Sequence, residues 1–95
     1  MIRHITLFRV NDEVPRETIE RAITLLQGLG VENEFVMSWE VAESLDTRRG
    51  TVLVVNSVFT DQEALTGFTT SERHIAVAQV MRPIATWLVA DYLTE

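Results

Sequence analysis

Thr51-Val52-Leu53-Val54-Val55-Asn56-Ser57-Val58-Phe59 carries no charge and is mostly β-branched or apolar. Successive side chains of a strand point to opposite faces, so a run apolar at both odd and even positions suits a strand covered on both sides. A central strand is therefore expected here, and the neighbouring segments take their places around it. Just upstream, Ser44 to Gly50 is polar and ends in glycine, as a hairpin turn would. Before it, Phe35 to Ala42 alternates, with Phe35, Met37, Trp39 and Val41 on one face and Ser38 and Glu40 on a wetter one. That pattern predicts an edge strand paired with the central one.

Further upstream, Ile19, Ala22, Ile23, Leu26 and Leu29 recur at three and four residues and predict one helical stripe. Pro15 suits its first turn, Glu17 and Glu20 favour the positive end of its dipole, and Gly28 and Gly30 are expected to end it. The chain opens on another alternating segment, Ile2 to Val10. Ile2, His4, Thr6, Phe8 and Val10 share one face, and Arg3, Ile5, Leu7 and Arg9 share the other. Downstream of the central strand, Thr60-Asp61-Gln62-Glu63 has a capping-box pattern with the Thr60 hydroxyl at the cap. It opens a short helix bearing Ala64, Leu65 and Phe68. Thr69-Thr70-Ser71 interrupts, and Ser71 can cap a further helix whose buried stripe is Val77, Val80, Met81 and Ile84, with Pro83 near its end. Trp87 to Leu93 alternates again as a fourth strand.

The order β-α-β-β-α-α-β predicts an α+β, ferredoxin-like domain over residues 1–95: a four-stranded antiparallel sheet with right-handed crossovers placing every helix on one face. A chain of 95 residues fits one core. Yet both faces of the strands are apolar. Leaving Ile5, Leu7 and several valines of the central strand wet would cost roughly 1.5–3 kcal/mol each, against a total stability of about 5–15 kcal/mol. A second copy of the sheet is the natural cover, which predicts a homodimer in the form of a dimeric α/β barrel.

Composition narrows the function. The net charge is −6, there is no lysine, and the eight arginines are scattered, so no basic surface for nucleic acid is expected. Arg48-Arg49, the nearest thing to a basic cluster, sits at the expected hairpin tip. The absence of cysteine removes disulfides, thiolate nucleophiles and cysteine-ligated metals. The first residues are broken by Arg3 and Arg9 too early for a signal peptide or a membrane span, so a cytoplasmic protein without membrane association is expected.

Across nearly its whole length the chain resembles the stress-responsive dimeric α/β-barrel (Dabb) domain family. The resemblance rests on Ile2-Arg3-His4-Ile5-Thr6-Leu7-Phe8, Arg49-Gly50 before the apolar strand, and Phe59-Thr60-Asp61-Gln62-Glu63-Ala64-Leu65. His74, Arg82-Pro83 and Asp91-Tyr92 complete it. It implies a homodimer with a cavity between sheet and helices in each subunit. In most members of the family no reaction is assigned, and a minority resemble polyketide cyclases with a pocket histidine as acid and base. Carried over, that histidine is His74, the strand histidine is His4 and the aspartate is Asp91. The sequence departs from the pattern at Ser71-Glu72-Arg73-His74, where many members have His-Pro-x-His, and at Phe68, where cyclase-type members carry a phenol.

As chemistry, His74 is the leading candidate. Imidazole titrates near neutral pH, and in the first turn of a helix the dipole disfavours its cation, keeping a neutral base. The plainer alternative is a first-turn histidine bonded to backbone. If His4 faces the helices, it converges on the same cavity, with Asp91 orienting one ring; alternatively, the pair is purely structural. Thr6, Phe8, Phe68, Val77, Met81 and Trp87 are the expected pocket residues for a small apolar or aromatic ligand, with Trp39 a further candidate and ordinary core packing as the competing role. No spacing supports a metal site or a cofactor motif, and none is expected. Three functions stay open: a cofactor-free cyclase or isomerase acting on a small carbonyl compound with His74 as base, a non-catalytic stress-related module binding an apolar ligand, and a barrel like the cofactor-independent monooxygenases.

Overall fold

A computed structural model describes residues 1–31 and 33–94. Seven elements follow one another: β1 (Ile2–Val10), α1 (Arg16–Gly30), β2 (Val36–Glu43), β3 (Val52–Phe59), α2 (Gln62–Thr69), α3 (Glu72–Met81) and β4 (Ala85–Leu93). The strands form one antiparallel sheet in the order β2-β3-β1-β4, so the two most apolar strands lie in its centre. This is the ferredoxin-like arrangement that the sequence predicts.

Register decides which side chains meet. Ile2, His4, Thr6, Phe8 and Val10 of β1 share a face with Phe59, Ser57, Val55 and Leu53 of β3. Leu93, Asp91, Val89, Trp87 and Ala85 of β4 complete that face. Two clusters bury it. Around one end, Phe8, Val10, Leu53, Val55 and Ala85 pack on Ile19, Ala22 and Leu26 of α1 and Met81 of α3. Around the other, Ile2 and Phe59 pack on Leu29, Leu65 and Phe68. All the helices therefore lie on one side. The opposite face is open, and there Leu7 is 40% exposed and Leu88 70% exposed.

Four local expectations are corrected. The cap of α2 is Asp61, whose carboxylate accepts the Ala64 N–H at 2.9 Å, and Thr60 lies one residue outside. A β-bulge at Met37 inserts an extra residue between Val36 and Ser38, which turns Met37 out to solvent while Trp39 and Val41 stay with the core. The inward stripe of α3 is His74, Val77, Ala78 and Met81; Val80 is exposed and Ile84 lies beyond the helix. Gly28 lies within α1 and Gly30 is its last residue. A Cβ at Gly30 would stand 2.0 Å from Trp39 Cγ, so this glycine makes room for an indole as well as ending a helix.

The hairpin tip behaves as its composition suggests. Gly50 takes a φ of 89°, open to glycine at little cost, and Arg48 pairs with its neighbour Asp46 in solvent.

Candidate functional site

Between the sheet and the helices lies a cavity of about 80 Å³. Its floor comes from β1, where His4, Thr6 and Phe8 point the same way because they are alternate residues of one strand. Val55, Trp87 and Val89 extend the floor on the neighbouring strands. Leu26 and Leu29 of α1, Phe68 of α2 and His74, Val77, Ala78 and Met81 of α3 form the roof, and Trp39 closes the β2 side. The helix-facing side of β4 grows more exposed along its length, from Ala85 at 3% through a half-buried Trp87 to Leu93 at 82%. The helices stop short of this strand, and the cavity opens over it.

His74 is placed by a sharp corner between α2 and α3. Ser71 Oγ donates to the Phe68 carbonyl at 2.7 Å and accepts the His74 N–H at 3.3 Å. The corner sets the His74 ring edge-on to Phe68, with centroids 5.0 Å apart. Phe68 is itself wedged between Trp39 and Phe59. The His74 ring is half-buried, which pushes its pKa below the ordinary 6.5, and the nearby His4 ring pushes it further the same way. At neutral pH His74 is accordingly an uncharged base.

His4 is held from two directions. Its carbonyl accepts the Ser57 hydroxyl at 2.9 Å, and its Nδ1 hydrogen-bonds to Asp91 Oδ1, the residue paired with it across β1 and β4. A carboxylate can only accept, so in the neutral ring Nδ1 carries the proton and Nε2 keeps its lone pair. Asp91 does not line the cavity; it grips His4 from the rim. The two histidines and Asp91 are not grouped as three metal ligands, and no such group occurs among the described residues.

The structure thus brings His4 and His74 to one cavity and puts Asp91 on His4. Thr6, Phe8, Phe68, Val77, Met81 and Trp87 all line the same space. Sequence reasoning did not assign Leu26, Leu29, Val55, Ala78 or Val89 to it. Their periodicity marked the two leucines and Val55 as plain core, and the register that sets Val55 and Val89 on either side of Thr6 has no signal in a single sequence. Trp39, a pocket candidate from the sequence, lines the cavity from β2. Among the described residues no helix is long and apolar enough to cross a membrane.

Comparison with known proteins places this geometry in a lineage. The family model for the Stress responsive A/B Barrel Domain matches residues 2–94. An uncharacterized protein of Streptomyces coelicolor is 33% identical over 95 residues, covering 97% of this chain and 98% of that protein. Two solved structures share the fold. A dimeric ferredoxin-like protein of unknown function from Thermobifida fusca superposes with a TM-score of 0.86 at 21% identity, over 98% of this chain and 90% of that one. The hydroxynitrile lyase of Passiflora edulis superposes with a TM-score of 0.85 at 19% identity, over 99% and 93%.

Proposed function

Because the chain belongs to the family of stress-responsive A/B barrel (Dabb) domains, we propose that it is a homodimeric enzyme whose cavity takes a small carbonyl compound and whose base is His74. The observation that carries this reading is the pair of imidazoles, half-buried His74 and His4, lining one cavity whose other walls are apolar except at Thr6. A neutral imidazole can take a proton from the carbon beside a carbonyl, leaving an enolate and an imidazolium. The proton then returns to carbon at a new position, an isomerisation. Alternatively, the enolate attacks a second carbonyl and the imidazolium protonates the resulting alkoxide, a ring closure. His4, oriented by Asp91 through Nδ1, can donate to the carbonyl oxygen only when Nε2 also carries a proton, as the imidazolium.

The cavity's modest volume, well under the roughly 300–1,000 Å³ of sites for drug-sized ligands, favours a compact substrate over an extended polyketide chain. Phe68 offers no hydroxyl to an enolate, which counts against a cyclase of the polyketide type. That a hydroxynitrile lyase has this fold supports the idea that such a barrel can serve as an enzyme. The apolar walls also favour a second reading, a binding module without turnover and linked to stress.

Assembly follows from the open sheet face. Ile5, Leu7, Val54, Leu88 and Tyr92 lie there with no helix over them, and a second copy of the same face would cover them. The Thermobifida fusca protein of this fold is dimeric, in keeping with that cover. The chain is read as one domain, and a cytoplasmic location fits its lack of cysteine.

A thermal-shift and turnover screen of small aldehydes and ketones on wild type and His74→Ala tests the function. Turnover lost in His74→Ala supports the enzyme. Equal stabilisation of both proteins without turnover supports the binding module, and no ligand at all overturns both.

A further inference from the structure

Thr6 is the only hydroxyl on the cavity wall among the described residues. It is 93% buried, being 7% exposed, yet its oxygen has no hydrogen-bond partner among the described residues and is not sealed in protein either. The Thr6 side chain lines the cavity, and its hydroxyl is open to a partner from outside the protein. Its row across the sheet reads Val55, Thr6, Val89, so the two residues beside it on the same face are its apolar isosteres. Valine would fill this position with no polar atom to pair, whereas the Thr6 hydroxyl needs a partner from outside the protein. A polar group retained there and left unpaired by the protein is one that a ligand can pair.

We propose that the Thr6 hydroxyl anchors a second oxygen of the ligand, so that the cavity selects small hydroxy ketones and similar dioxygenated carbonyl compounds over apolar ketones of equal size. The inference rests on the carbonyl-site reading above and deepens it. His4 and Thr6 are two residues apart on one strand face, which separates their Cα atoms by about 6.6–6.8 Å. The histidine pair and the hydroxyl thus address different parts of one small molecule. The imidazoles meet the carbonyl and its acidic carbon, and Thr6 meets an oxygen further along. Thr6 acts here as a specificity residue, leaving proton transfer to the histidines.

The test compares 4-hydroxy-2-butanone with 2-pentanone, which has a methyl group where the first has its hydroxyl. Binding is followed by amide-shift titration of wild type, Thr6→Val and Thr6→Ser, with circular dichroism to check that each variant folds. Wild type is expected to prefer the hydroxy ketone about tenfold, the worth of one well-made hydrogen bond. Thr6→Val is expected to lose that preference while still binding 2-pentanone, and Thr6→Ser to keep most of it. Equal binding of both ketones by wild type, or a preference that survives in Thr6→Val, overturns the role of Thr6 and leaves the carbonyl site standing. Failure of wild type to bind either ketone overturns the carbonyl site and this inference together.

Discussion

Replacing Gly30 by alanine sets two physical effects against each other. Helix propensity alone favours alanine over glycine by about 1 kcal/mol inside a helix. The packing points the other way. A Cβ at position 30 would lie 2.0, 2.2 and 2.3 Å from the Cγ, Cδ2 and Cδ1 atoms of Trp39, where at least 3.0 Å is needed, so the indole must move by at least 1 Å. That movement breaks the 3.0 Å bond from Trp39 Nε1 to the Leu26 carbonyl, worth about 0.5–1.5 kcal/mol. It also disturbs the edge contact of Trp39 with Phe68, centroids 5.4 Å apart and worth about 0.5–1.5 kcal/mol. Overpacking strain adds about 1–3 kcal/mol. The net expectation for Gly30→Ala is a loss of about 1–5 kcal/mol, or a fall in Tm of at least about 4 °C at roughly 4–8 °C per kcal/mol. Thermal denaturation by circular dichroism at fixed protein concentration measures it. Repeating the change in a Trp39→Ala background removes the clash, and there the same alanine should be neutral or stabilising. A Tm for Gly30→Ala at or above that of wild type would show that the indole clash does not dominate, as would an equal loss in the Trp39→Ala background.

Other consequences are open to measurement. The His74 pKa lies below 6.5 in the folded protein, so as pH falls the unfolded chain takes up this proton first. The contribution of His74 to stability is thus complete above about pH 7 and declines as pH falls through 6.5 toward the folded value. Urea midpoints between pH 5 and 8 should show that decline in wild type and a shallower one in His74→Gln. Asp91→Ala leaves the buried Nδ1 of His4 without its partner and should cost about 1 kcal/mol in urea denaturation, the half-exposed carboxylate being partly screened. Leu88→Asp charges the open face without touching the core and should give a folded monomer by light scattering, with wild type expected to run as a dimer.

The fold was legible because its signals were periodic. Alternation in Ile2–Val10, the three-and-four spacing from Ile19 to Leu29 and the unbroken apolar run of Thr51–Phe59 each report burial directly, and burial is what arranges elements into layers. Errors fell where one backbone hydrogen bond outweighs the pattern. A single inserted residue at Met37 reversed the face of one side chain, and the cap of α2 moved from Thr60 to Asp61 because either side chain can cap. In the last helix, the histidine itself belongs to the inward stripe. A periodicity built from apolar residues alone passed over it and recruited Val80 instead. For the cavity, β1 placed His4, Thr6 and Phe8 on one face from the sequence alone. The pairing of His4 with Asp91, 87 residues apart, depends on strand register, which the resemblance suggested and composition could not.

If His74 is a base acting on a carbonyl compound, it moves a proton from the carbon beside the carbonyl, and isotope exchange follows that proton. Deuterium exchange at the carbons beside the carbonyl of 4-hydroxy-2-butanone and a panel of small ketones is followed by proton NMR in deuterated buffer near pH 7. Wild type should accelerate exchange above buffer for at least one compound, with most of that acceleration lost in folded His74→Gln. Exchange by His74→Gln at the wild-type rate, or no acceleration by wild type with any ketone of the panel, would exclude His74 as a base on such compounds.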